Sequence, residues 1–296
     1  MKETNNVEQR SRTSLSKGAR RNQILRRITV VGVIAAVITA AFAGYCLHRE
    51  RVEEKQKAEE LRKEKQDKKE AAKVKSKPET AEQKLERIRK QATEHGYPKN
   101  VIELLDKNVE TVDFVADYEK KKDKPYADTI GKDLSQGGIP ELLQWDERWG
   151  YAPYGTSIVA ASGCGPTCMV AAGLNQDASI TPAKVAAYGT EHGYVDEENN
   201  TYWRFMDEAG ANWNLNSTAG LLSEEQVALE LSQGHPIICS VGPGDFTKIG
   251  HFIVLTGYEN GNVKVNDPFS IKNSKATWVF ANIKDQIKAM WVFSKK

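Results

Sequence analysis

Twenty consecutive residues without a charge, Ile28 to Leu47 (ITVVGVIAAVITAAFAGYCL), constrain this chain more than any other feature. At about 1.5 Å per residue, a helix of that length spans the roughly 30 Å hydrocarbon core of a bilayer. Arg20, Arg21, Arg26 and Arg27 stand directly before it. The positive-inside rule then places residues 1–27, a tail with eight Lys/Arg against two Glu, in the cytoplasm and everything after His48 outside. A cleaved signal peptide competes with this reading, since Ala41-Phe42-Ala43 has a small-residue cleavage pattern. The apolar run is longer than a usual signal core, however. A lipoprotein would need a small residue before Cys46, where Tyr45 stands. The expectation is a retained single-pass anchor in the cell membrane, with lipid as the partner of residues 28–47.

The charge balance, 42 basic against 40 acidic residues and a net +2, gives no overall polyanion-binding character, so nucleic acid is not an expected partner. From 48 to 77 the chain is almost entirely Lys, Arg, Glu, Gln and Ala. Val52, Leu61 and Val74 are its only large aliphatics, too few for a coiled-coil seam. Opposite charges three or four residues apart make this a solvated helical stalk. Residues 78–124 differ. Ala81, Leu85, Ile88 and Ala92 recur at helical spacing, His95-Gly96-Tyr97-Pro98 stops that helix, and Val101, Leu104, Leu105 and Val109 share the face of a second. This small helical region has apolar faces that need a partner, either each other or the domain that follows. Residues 125–138 form a polar linker, and its Gly137-Gly138 pair reads as turn chemistry.

Residues 139–296 have the composition of a globular domain. Pro166 predicts a helix starting one or two residues after Cys164 and running through Met169-Val170-Ala171-Ala172-Gly173-Leu174. Further helices are predicted from Thr181-Pro182 to Glu191, around Tyr202–Ala209, and from the capped start Ser223-Glu224-Glu225-Gln226 to Gly234. The period then changes to that of strands at 236–241 and 251–258. Asn260-Gly261 turns the chain back into a strand over 262–268, and shorter strands are predicted at 276–280 and 290–293. Helices first and an antiparallel sheet afterwards make an α+β domain.

Four cysteines are too few for a disulfide scaffold. Cys164 is the one placed for chemistry, because a helix N-terminus favours the thiolate over the thiol. A thiol nucleophile needs a base, and the base needs an orienting group. His48 is beside the membrane span, and His95, His192 and His235 sit next to glycines in turns; only His251 opens an apolar strand. The Asn260-Gly261 hairpin brings Asp267 back to the same end of the ladder as His251, so the carboxylate can hold one imidazole nitrogen and present the other to Cys164. A zinc site from Cys164, Cys168 and His251 lacks a second ligand pair, and Cys168 and Cys239 read as core residues. Trp145, Trp149, Tyr151 and Tyr154 either line a substrate cleft or pack around the nucleophile helix.

The motifs GCGPT (163–167), GHFIVLTGY (250–258) and VNDP (265–268), preceded by QWDERWG (144–150) and YGTSI (154–158), resemble the C39-like peptidase family, a branch of the papain-like thiol hydrolases. The resemblance covers roughly 139–296. It implies a bacterial protein with a papain-like α+β fold, a nucleophile helix packed on an antiparallel sheet. It also implies Cys164 as nucleophile, His251 as general base, Asp267 as orienting acid and no cofactor or metal. Such enzymes carry an oxyanion-hole glutamine. Gln144 is the candidate here, although it lies well upstream of Cys164 and Ile158 occupies a nearer position. The implied reaction is hydrolysis of a peptide or isopeptide amide in a peptide or cell-envelope protein. The competing reading is a silent binding or scaffold module at the cell surface that keeps the fold without turnover.

Overall fold

The computed structural model describes residues 4–75, 79–134, 138–173 and 177–296. Gly137 of the linker, the end of the stalk at 76–77, and Leu174 at the end of the predicted nucleophile helix lie outside the described residues. The chain divides into two units, Met1–Pro78 and Glu79–Lys296.

The first unit is a single helix, α1 (Thr4–Lys75). Its stretch from Arg20 to Gln66 contains a segment long and apolar enough to cross a membrane. Beyond the apolar run, Arg49 pairs with Glu53 at 3.0 Å, one of the i,i+4 contacts that the alternating charges provide.

The second unit opens with α2 (Ala81–Glu94), which starts on a capping box. Thr80 accepts from the Gln83 amide at 3.2 Å, and Gln83 Oε1 accepts from the Thr80 amide at 3.0 Å. Short helical turns follow between Lys99 and Lys121. Their apolar side chains Val101, Leu104, Leu105, Phe114 and Val115 join Ile88 and Ala92 in one buried cluster, and that cluster also contains Tyr151 and Ala160. Phe114 stacks on Tyr151 with ring centres 4.1 Å apart, and the Tyr151 hydroxyl donates to the Phe114 carbonyl at 2.9 Å. The partner these faces needed is therefore the stretch that leads to Cys164.

A six-stranded antiparallel sheet forms the other half: β1 (Leu215–Ala219), β2 (Ile237–Val241), β3 (His251–Glu259), β4 (Asn262–Asn266), β5 (Thr277–Val279) and β6 (Ile287–Lys295). In spatial order they run β1-β6-β2-β3-β4-β5. The Cys164 helix α3 (Cys164–Ala172) packs against β3, and α4 (Pro182–Glu191) against α3. On the other side of the sheet core, Val227 and Leu231 of α5 (Glu224–Ser232) pack with β2, β3 and β4. The caps read from sequence are present: Thr181 accepts from the Lys184 amide, and Ser223 forms a reciprocal box with Gln226. The domain is α+β, with a helix carrying the thiol set on an antiparallel sheet.

Two elements depart from expectation. The nucleophile helix begins at Cys164 itself, which makes Pro166 its third residue. The first four helical N–H groups have no intrahelical partner, so a proline there removes nothing. Strand β1 was not legible, because its sequence LNSTA is polar and mostly exposed, an edge strand with no clean alternation.

Candidate active site

Hairpin geometry decides where His251 and Asp267 meet. Asn260 and Gly261 both adopt positive φ, 49° and 82°, as a two-residue turn of this hand requires. From there β3 and β4 pair Glu259 with Asn262, Tyr258 with Val263 and Gly257 with Lys264. The register then shifts by one at Thr256, so that Leu255 faces Val265 and Val254 faces Asn266. Extended one step, the shifted ladder sets Asp267 opposite Ile253, on the face His251 occupies. The unshifted ladder would set Asp267 opposite Val254 and send its side chain to the other face.

The contacts follow from this bulge. His251 Nε2 lies 2.7 Å from Asp267 Oδ1, with the two side chains 8% and 1% exposed. Asp267 is held from all sides. Its Oδ2 accepts from Asn273 Nδ2 at 2.7 Å, its Oδ1 accepts from the Phe269 amide at 2.9 Å, and its own amide donates to Ser274 Oγ at 2.9 Å. With Nε2 engaged by the carboxylate, Nδ1 is the nitrogen left for the thiol, and His251 stabilises the charged form of the Cys164 side chain. The backbone amides of Phe252 and Gly165 also favour the charged sulfur.

The electrostatics run in one direction. Burial pushes the Cys164 thiol up, but the hydrogen bond and charge of His251, with the two backbone amides, bring it below its ordinary value. Burial pulls His251 down, and Asp267 together with Cys164 more than reverses this, lifting the imidazole to about 10. Burial pulls Asp267 up, and His251, Asn273 and the Phe269 amide hold it below the usual carboxylate range. A thiolate–imidazolium pair is the state this arrangement favours. Cys168 and Cys239 are fully buried and apolar in surroundings, and burial raises both thiols.

Gln144 is buried between the two chain segments that matter. Its amide donates to the Pro268 carbonyl at 2.7 Å, next to Asp267, and its Nε2 donates to the Ala160 carbonyl at 2.8 Å, on the approach to Cys164. Its Oε1 is buried without a hydrogen-bond partner. Of the aromatic residues considered for a cleft, Trp149, Tyr151 and Tyr154 are buried, and Trp145 donates its Nε1 to the Phe269 carbonyl at 2.9 Å. They pack rather than line an open surface. His95 and His192 cap the ends of α2 and α4, each with its ring Nδ1 against a helical carbonyl, and His235 pairs with Glu230. Asn273 escaped the sequence reading, because nothing local marks a helical asparagine as the partner of a carboxylate six residues earlier.

Residues 138–296 match the model of the Peptidase_C39 like family. The chain belongs to that family. Among solved structures, the chain is similar to the peptidase domain of Streptococcus ComA, a bi-functional ABC transporter involved in a quorum sensing pathway. That match has 14% identity, covers 46% of this chain and 93% of the other, and has a TM-score of 0.37. A protein described as a C39-like peptidase from Bacillus anthracis matches at 14% identity over 55% of this chain and 96% of its own, with a TM-score of 0.35. No curated protein matches the chain.

Proposed function

We propose that this C39-like chain is a membrane-anchored cysteine hydrolase that cleaves a peptide or isopeptide amide outside the cell, with Cys164 as nucleophile, His251 as base and acid, and Asp267 as orienting carboxylate. The observation that carries this reading is the buried chain of contacts from Cys164 through His251 to Asp267, in which the thiol is lowered while the imidazole is raised. The sulfur of the thiolate attacks the amide carbon, and the carbonyl oxygen takes up the negative charge. His251 gives its proton to the departing nitrogen, which leaves as an amine, and an acyl thioester remains on Cys164. A water then attacks the thioester while His251 takes its proton, releasing the carboxylic acid and restoring the thiolate. The Cys164 amide, at the first position of α3, and Gln144 are the donors assigned to the oxyanion, a role worth about 3–4 kcal/mol when the donors are preorganised. Gln144 already donates to Ala160, so its second Nε2 hydrogen is the one assigned this task.

The anchor is residues 28–47, with the basic tail inside and the C39-like domain outside, as the arginines before the apolar run suggest. The test is iodoacetamide labelling of the full-length protein from pH 5 to 9, with modification of Cys164 read by peptide mass spectrometry. Fast labelling that persists at pH 6 and is lost in His251→Ala is expected. A profile rising only around pH 8.5 in the parent, the behaviour of an ordinary thiol, would sink the hydrolase reading and leave the binding module in its place.

A further inference from the structure

The helices of residues 81–121 reach the site at its acid end, through two polar residues. Asn108 opens a turn of 3-10 helix at Val109–Thr111, and its Oδ1 accepts from the Glu110 amide at 2.9 Å. Its Nδ2 donates to the Phe269 carbonyl and, at 3.2 Å, to Glu110 Oε2. The Glu110 carboxylate in turn accepts two backbone amides at the start of α6 (Ile271–Lys275), that of Ile271 at 2.8 Å and that of Lys272 at 3.0 Å. Helix α6 is the element that supplies Asn273 to Asp267 Oδ2 and Ser274 to the Asp267 amide. Phe269, whose amide donates to Asp267 Oδ1, packs against the same apolar cluster as Phe114 and Tyr151. Both the carbonyl and the ring of Phe269, and the first two amides of α6, are therefore held by residues some 160 positions upstream or by the cluster they build.

We infer that Asn108 and Glu110 are positioning residues for the triad, a role that rests on the reading of Cys164, His251 and Asp267 given above. Asp267 has two oxygens, and His251 needs one of them at a fixed angle to hold the imidazole toward the thiol. The segment 269–274 supplies two further donors to the Asp267 carboxylate, and that segment is six residues of short helix and turn with little apolar burial of its own. Such a segment opens readily unless it is tied down. Asn108 and Glu110 are ties from the helical region, beside Trp145 on the Phe269 carbonyl. Releasing them lets Asn273 and the Phe269 amide leave Asp267, so the carboxylate is no longer fixed in one rotamer and its hold on His251 weakens. The thiolate then loses its counter-ion. The helical region is in this view part of the catalytic framework of the C39-like domain, not a spacer.

The full-length protein carries the test through two readouts on Glu110→Ala, Glu110→Gln and Asp267→Asn. Amide hydrogen exchange over residues 267–275 is expected to rise in Glu110→Ala and to be partly restored in Glu110→Gln, which keeps one acceptor oxygen. Iodoacetamide labelling of Cys164 at pH 6 is expected to fall about tenfold in Glu110→Ala, with the whole pH profile moving up by about one unit. Adding Glu110→Ala to Asp267→Asn should lower labelling no further, because the effect passes through Asp267. Unchanged exchange over 267–275 overturns the inference. So does a lowered melting temperature with an unmoved labelling profile, which would make Glu110 a stabilising contact alone. If the parent itself labels as an ordinary thiol, the hydrolase reading falls, and the tie between Glu110 and the Asp267 segment is then decided by the exchange measurement.

Discussion

A proton shared between Cys164 and His251 has a measurable effect on stability. In the unfolded chain the imidazole has its ordinary value of 6.5 and the thiol its ordinary 9.0, so between those pH values the proton sits on sulfur. In the folded protein the thiol is lowered and the imidazole raised, so the proton sits on His251. Where the pH lies above the lowered thiol value and below 9.0, both states bind one proton and the pair contributes no slope of stability with pH. Replacing Cys164 by alanine changes the balance. The folded state still binds a proton at His251 because Asp267 holds it, the unfolded state binds none, and stability then falls as pH rises. We expect Cys164→Ala to lose up to about 1.4 kcal/mol per pH unit relative to the parent in that range. Urea unfolding of both proteins at several pH values between 6.5 and 9 measures this. Parallel stability curves would show that the imidazole is not raised in the folded state. Asp267 has the opposite sign. Its lowered value stabilises the fold above the ordinary carboxylate range, and that contribution disappears as acid protonates it.

At the scale of elements, α3 is seated by a missing side chain. A Cβ on Gly165 would come within 2.7 Å of Thr201 Oγ1 and 2.9 Å of its Cγ2, and that Thr201 hydroxyl is already bonded to the buried Tyr154 hydroxyl at 2.7 Å. Gly165→Ala is expected to lower stability by about 1–3 kcal/mol, the usual cost of overpacking, and to slow labelling of Cys164 by displacing the helix start. An unchanged urea midpoint would refute the tight seat. The legible parts of this architecture were those specified locally. Thr181 and Ser223 announce helix starts, and Asn260-Gly261 announces a hairpin that returns Asp267 to the end of the ladder where His251 lies. The illegible parts are those set by distant partners or by irregular backbone. The bulge at Thr256, the polar edge strand Leu215–Ala219, the Asn273 contact and the orphaned Oε1 of Gln144 have no short-range signature. Glu110 is the extreme case, an acidic residue in a helical stretch whose partners lie in the last thirty residues.

For the whole molecule, the folded unit begins at Glu79, whereas the family match begins at 138. The helices of residues 81–121 share a buried cluster with Tyr151 and Ala160, so removing them would strip the apolar cover from the chain that leads to Cys164. The other unit makes a separate prediction. Its apolar run has the length of a span rather than of a signal core, so the protein is expected to remain in the membrane fraction after alkaline carbonate extraction, with the mass of the uncleaved chain. A soluble product shortened at Ala43 would instead identify the run as a cleaved signal.

The bulge at Thr256 turns hairpin length into a parity condition. His251 and Asp267 share a face only because an odd register step lies between them. Removing the extra residue at Thr256 would leave Cys164, His251 and the aspartate all in the sequence while restoring the unshifted ladder and turning the aspartate side chain to the face opposite His251. Among chains that carry the same three residues, an extra residue in the strand after the histidine is therefore a feature to look for beside the residues themselves.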